Sequence, residues 1–162
     1  MFTGLKNSNS IAVNAGAGSP SVDLKYKKGD NNWTSYSLGT IISINSGETI
    51  AFSGNNSNFN QGESKYCNFV MTGSFKANGT IQSLLNYSNS CTDNCYYKLF
   101  QNCTSLLTAP TLSTTTLAEQ CYMGMFKGCT NLSTAPQLPA STLYFNCYAS
   151  MFSGCTSLTS AP

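Results

Sequence analysis

The side chains able to do chemistry in this chain of 162 residues are eight lysines, six acids and eight cysteines. Histidine and arginine are both missing. Without imidazole there is no ordinary general base near neutral pH, no His-containing triad and no His metal ligand. Without guanidinium there is no bidentate clamp for phosphate or carboxylate. The acids Asp23, Asp30, Glu48, Glu63, Asp93 and Glu119 are scattered. Asp23 and Asp30 flank a strand-like run and a turn, and Glu48 follows Gly47 in a hairpin-like turn. None recurs at a spacing that would pair two carboxylates. The residues therefore predict a non-enzymatic protein with no catalytic, cofactor-binding or metal-binding residue. A net charge of +2 is too small and dispersed to mark a nucleic-acid surface. No apolar run reaches the roughly 18 residues of a membrane span, so no membrane insertion is expected.

The cysteines lead to the elements that must position them, because seven of the eight lie after residue 90 and six of those fall in register. Cys95-Tyr96-Tyr97-Lys98-Leu99-Phe100-Gln101-Asn102-Cys103-Thr104-Ser105-Leu106 aligns without gaps with the segments starting at Cys121 and Cys147, each 26 residues further on. Ala109-Pro110, Ala135-Pro136 and Ala161-Pro162 keep the same spacing. A period in the 20–29 range is a solenoid signature of the leucine-rich-repeat kind. Leu132, Ala135 and Leu138 suit a short extended segment ended by Pro139, and Ser141-Thr142 can cap a helical turn. Leu143, Cys147 and Met151 would form its apolar face, with Gly154 or Asn102 ending it in a left-handed conformation. Stacked coils place like on like. The expected core ladders are Leu106, Leu132 and Leu158; Phe100, Phe126 and Phe152; Cys95, Cys121 and Cys147; and Cys103, Cys129 and Cys155.

Three fates for the thiols remain open. Cys121 and Cys129 would lie roughly 12 Å apart along a helix, too far for a disulfide. Cys121 and Cys147 would lie about 5 Å apart on adjacent coils, within reach of one. Cys91-x-x-x-Cys95 is a loose zinc-type spacing without a second pair. Buried free thiols acting as small hydrophobes are the favoured reading.

Before residue 90, β-prone runs alternate with Gly/Asn turns: Ile11–Asn14, Val22–Lys27, Trp33–Leu38, Thr40–Ile44, Thr49–Ser53, Asn68–Thr72 and Thr80–Leu85. That spacing predicts an antiparallel sandwich or barrel. Gly54–Glu63 is polar throughout much of its length and reads as a solvated connector, or else as a binding loop. Trp33, the only tryptophan, is expected in the core of the sheet, with stacking on a sugar or partner as the alternative. The predicted fold is mainly β with short helices: an antiparallel β-sandwich-like module over 1–87, then a short leucine-rich-repeat solenoid of about two and a half 26-residue coils over 88–162.

The string C-Y-x-x-M-F-x-G-C-T-S-L-T-x-A-P over residues 95–162 resembles the leucine-rich repeats of BspA-like surface proteins from gut Bacteroidetes and of related phage proteins. The Tyr26…Trp33-Thr34…Ser46-Gly47-Glu48…Phe52…Gly54-Asn55 stretch looks like the β-rich module that often precedes them. The resemblance implies a non-enzymatic adhesion or protein-interaction role at a cell or virion surface. It implies as partner a protein or glycan on a host or neighbouring cell. The alternative is a structural subunit of a phage appendage, fibre or filament, whose partners are identical subunits in a homo-oligomer. Met1–Lys6 shows no export signal, yet the expected location is extracellular. Positions that vary between coils form the candidate interaction surface: Tyr97, Lys98, Gln101, Met123, Lys127, Ser150 and Ser153. Tyr148, Met151, Phe152 and Leu158 form the candidate assembly end.

Overall fold

A computed structural model describes residues 1–162. The chain is mainly β, in two sheets, and neither closes into a barrel. The larger sheet has the order β4-β3-β6-β1-β8-β9. Its strands are β1 (Phe2–Gly4), β3 (Lys25–Lys28), β4 (Thr34–Ser35), β6 (Thr49–Ser53), β8 (Phe75–Ala77) and β9 (Leu106–Thr108). The smaller has the order β5-β2-β7 and contains β2 (Asn9–Ala17), β5 (Ile42–Ile44) and β7 (Tyr66–Thr72). Alternation explains which faces turn inward: Ile42 and Ile44, Ile50 and Phe52, and Cys67, Phe69 and Met71 are buried while their neighbours are less so. The rings of Phe2 and Phe52 from the larger sheet each meet Phe69 of the smaller at 5.2 Å.

Several expectations are corrected. Thr80–Leu85 is no strand; Ile81–Leu84 is a single 3-10 turn, with the Thr80 hydroxyl accepting from the Gln82 N–H. Its buried Ile81 and Leu84 are three residues apart, a helical spacing rather than an alternating one. Trp33 is 44% exposed. Tyr26, Tyr36 and Phe52 fill the aromatic space instead, and the Tyr36 hydroxyl ties β2 to the loop before β5 by accepting from Val13 N–H and donating to the Thr40 carbonyl. The Gly54–Glu63 connector is not wholly solvated, because Phe59 and Asn60 are buried.

The repeats contain no α-helix. Alternate N–H groups close tight turns within a coil, from Tyr97 to Asn94, Leu99 to Tyr96, Gln101 to Lys98 and Cys103 to Phe100. The others reach the following repeat: Tyr96 to the Cys121 carbonyl at 2.9 Å, Lys98 to Met123 at 3.0 Å, Phe100 to Met125 at 2.9 Å and Asn102 to Lys127 at 2.8 Å. Tyr122, Gly124, Phe126 and Gly128 repeat this toward Cys147, Ala149, Met151 and Ser153. Half the donors needed for an i to i−4 ladder are thus claimed by a neighbour. Asn102, Gly128 and Gly154 do have positive φ, yet they end no helix; the same conformation recurs four residues earlier at Lys98, Gly124 and Ser150, and again at Asn94, Gln120 and Asn146. On the opposite flank β9 pairs in parallel with β8, and parallel bridges join Thr108 to Thr134 and Thr116 to Thr142. One cluster of 35 buried residues runs from Phe2 to Cys155 through sheets and repeats alike.

Candidate functional site

Three sets of side chains recur at the 26-residue offset and fix the lattice on which any surface must be built. Phe69, Phe100, Phe126 and Phe152 stack at 5.1, 5.5 and 5.8 Å, the last two pairs 3° from parallel. The first ring belongs to β7, so the smaller sheet supplies the bottom rung. Tyr96, Tyr122 and Tyr148 stack at 5.6 and 5.9 Å. Cysteine makes the third set. The thiols of Cys103, Cys129 and Cys155 donate to the carbonyls of Phe69, Phe100 and Phe126, each at 3.0 Å. An apolar residue of that size would fill the space and leave the carbonyl without this donor.

All eight cysteines are free thiols. Burial pushes the Cys67 thiol up to about 11 and Cys129 up to about 12, and raises Cys103 and Cys155. These groups keep the proton they donate. Cys91, half-buried, lies beside Cys95 and Cys121. Hydrogen bonding between Cys91 and the other two thiols raises the Cys91 pKa and lowers those of Cys95 and Cys121. Leu106 and Leu132 are fully buried, whereas Leu158 and Phe152 are half-buried. Cys95, Cys121 and Cys147 are buried.

Asn60 joins the first coil to the sheets. It is fully buried; its amide donates to the carbonyls of Cys67 at 2.9 Å and Tyr97 at 2.7 Å, and its side-chain oxygen accepts from Cys67 N–H. Its own N–H reaches the Cys95 carbonyl, and Phe69 N–H reaches Leu99. Sequence reasoning missed this residue. The available signal was Phe59, a large apolar side chain inside an otherwise polar run.

The variable positions fall into columns because the coils stack in register. Tyr97 heads one, above Met123; it is buried, 3% exposed, which removes it as an exposed contact residue. The Tyr66 ring covers it at 5.5 Å and the Lys98 ammonium lies 4.9 Å from its centroid. The Tyr97 hydroxyl beside that ammonium raises the Lys98 pKa. Lys98 lies across Gly124, where an added Cβ would meet its Cγ at 3.3 Å; Ser150 occupies the same slot and is exposed. Gln101, Lys127 and Ser153 form the outermost column, the first half-buried and the others exposed. Met123 is half-buried.

At the far face of the third coil, Tyr148, Phe152 and Leu158 are half-buried, but Met151 is buried beneath its own coil and does not belong to an open end. Leu143, Tyr144 and Phe145 beside it are 59%, 56% and 67% exposed. The N–H groups of Tyr148, Ser150, Phe152 and Gly154, which in earlier coils reach the next repeat, make no backbone hydrogen bond. No helix is long and apolar enough to cross a membrane. No family model, curated protein or solved structure matches the chain.

Proposed function

We infer that this chain is a non-enzymatic interaction module, displayed extracellularly on a cell or virion surface, whose repeats form a short leucine-rich-repeat solenoid behind a sandwich-like module. One observation carries the reading. Beneath the outward columns the Phe, Tyr and Cys positions are constant, while the columns above them change chemistry from Lys98 to Gly124 to Ser150, and from Gln101 to Lys127 to Ser153. A regular lattice with variable outer positions is how repeat proteins present a protein-binding face. The test is adhesion of the labelled chain to intact epithelial and bacterial cells. The triple variant Gln101→Ala, Lys127→Ala, Ser153→Ala leaves every ladder residue in place, stacks no like charges, and should abolish adhesion without moving the thermal midpoint. Unchanged adhesion by that variant, or none by the parent chain, rejects the reading.

A second reading, a structural subunit of an appendage or filament, is favoured by the unpaired N–H row and apolar Leu143-Tyr144-Phe145 at the third coil. Such a row offers donors only. Two copies meeting donor to donor gain nothing, and the first coil's Cys95, Tyr97 and Leu99 carbonyls are already occupied by Asn60 and Phe69. Assembly by coil stacking therefore requires carbonyls from elsewhere. Light scattering over a range of concentrations should show a monomer; growth of the scattering mass would favour the subunit reading.

A further inference from the structure

Away from the repeats, a cleft of about 350 Å³ opens over β3 and β6 of the larger sheet, between Trp33 and Tyr87. Both rings are exposed, at 44% and 63%, although buried phenylalanines such as Phe2, Phe52 and Phe69 show how this fold treats aromatics it packs. Each ring is held in place. The Lys27 ammonium lies 5.6 Å from the Trp33 centroid, the geometry of a cation–π contact. Tyr87 sits at φ +60° directly after Asn86 at φ +51°. Two successive non-glycine residues in the left-handed region are strained, and they are pinned there by hydrogen bonds from Tyr87 N–H to Gln82 and from Asn86 N–H to Gly54, both 2.8 Å. The strain turns an aromatic ring toward solvent, where it packs against no core.

Between the rings the wall is mixed, with Met1, Ala51 and Phe52 apolar and Asn78, Thr80 and Ser83 polar and uncharged; Lys27 is the one charged side chain on the cleft and no carboxylate lines it. One lysine is too little to clamp a phosphate group, and without an acid there is nothing to hold a cation. Flat rings with amide and hydroxyl groups between them suit a ligand with apolar faces and hydroxyl edges. We propose that the Trp33–Tyr87 cleft binds a neutral saccharide, its pyranose faces stacking on the two rings and its hydroxyls meeting Asn78, Thr80 and Ser83. This site lies outside the repeat columns and does not depend on their role.

Trp33 is the only tryptophan, so its emission reports on the cleft directly. Titration with neutral trisaccharides (β-1,4-glucose, β-1,3-glucose, α-1,4-glucose, β-1,4-mannose and β-1,4-N-acetylglucosamine) should give a saturable emission shift with at least one, half-complete below about 1 mM, a range usual for weak binding. Tyr87→Gly should weaken that response about tenfold or more while keeping the fold, since glycine accepts the left-handed conformation. Trp33→Ala, followed by calorimetry, should remove binding. The proposal is overturned if no trisaccharide shifts the emission at about 5 mM or if Tyr87→Gly binds as well as the parent. It is also overturned if adenosine or a proline-rich decapeptide shifts the emission when the sugars do not. A chain carrying the triple column variant should keep the sugar response, which separates failure of this site from failure of the adhesion reading.

Discussion

The sheets and the repeats solve the same problem of satisfying buried backbone in opposite ways. In the sheets each solution occurs once. Asn9 donates to the Lys6 and Ile44 carbonyls and accepts from Ser74 N–H. Asn56 bridges the Asp23 and Leu84 carbonyls at 2.8 Å each. Asn60 and Tyr36 do likewise at their own junctions. In the repeats a single solution recurs, with the same thiol and ring contacts at every coil and the same N–H bonds between successive coils. Unique clamps concentrate stability in a few residues, whereas a recurring lattice spreads it over neighbours.

The largest effect is expected at the clamp between the two regions. Asn60→Leu strands the Cys67 N–H and the Cys67 and Tyr97 carbonyls, and should cost about 3–5 kcal/mol by chemical denaturation. A cost below about 1 kcal/mol would break the contrast, since the junction would then need no special residue. Leu132→Ala, fully buried in the middle coil, should cost about 2–5 kcal/mol. The half-buried Leu158 should cost clearly less on the same change. Equal costs would mean that the coils do not stack in this register.

A sharper comparison lies in one atom. Cys129→Ala removes the donor to the Phe100 carbonyl and should cost about 1 kcal/mol more than Cys129→Ser, which keeps a donor; equal stabilities would reduce the thiol to a space-filler. In a native alkylation time course Cys91, half-buried, should react before Cys103, Cys121 and Cys129, which should stay protected until unfolding. Smaller still is Tyr96→Phe. The buried Tyr96 hydroxyl meets no hydrogen-bond partner, so its loss should change stability by no more than about 0.5 kcal/mol or improve it. A clear loss would reveal a partner for that hydroxyl.

The smallest effect concerns pH. Glu48 accepts from Asn45 N–H and pairs with Lys28 at 2.7 Å, and these contacts hold its carboxyl below the ordinary 4.5. A carboxylate with a depressed folded pKa stabilises above its unfolded pKa, and that contribution is lost as pH falls through the folded value. Thermal midpoints should therefore decline below pH 4.5 slightly more for the parent than for Glu48→Gln. Identical profiles would show that this exposed pair is without consequence.

The two regions also differed in how readable they were. The register of the repeats was plain in the sequence because each coil imposes the same demands on the same positions: Phe100, Phe126 and Phe152 do stack, and Cys103, Cys129 and Cys155 do lie buried. The backbone between them was misread as helical because an i, i+4 apolar spacing fits both a helix and this chain of four-residue turns. The positive φ that recurs every four residues, as at Lys98, and the N–H bonds to the next repeat distinguish the turns from a helix, and a lysine gives no hint of either. In the sheets, Thr49–Ser53 was found with its bounds, as strict alternation allows. The short strands β1 and β8 were missed because Phe2-Thr3-Gly4 and Phe75-Lys76-Ala77 lack the β-branched alternation that marks the equally short β5 at Ile42 and Ile44. Trp33 and Tyr97 went to the wrong sides of the surface because aromatic type says little about exposure until its neighbours are placed. The same limit hid the Trp33–Tyr87 cleft, whose two rings come from segments 54 residues apart in sequence.

The direction of the hydrogen bonds between coils has a consequence for the order in which the protein can form. Along the flank of four-residue turns each coil offers N–H groups and the newcomer supplies carbonyls, while elsewhere the newcomer donates, from its thiol and from Ser133 and Ser141 N–H, to carbonyls of the coil before. During synthesis the N-terminal part emerges first. Its last long strand already presents the Phe69 ring, the Phe69 carbonyl and the Phe69 N–H that the first coil needs. Each later coil then lands on a finished template after only 26 more residues, a short closure with little entropy to overcome. On that flank the edge left waiting is a row of donors that water can solvate. Growth of the stack thus follows the order of synthesis, whereas in the larger sheet β1 must wait for β6 and β8, and β8 in turn for β9 of the first repeat.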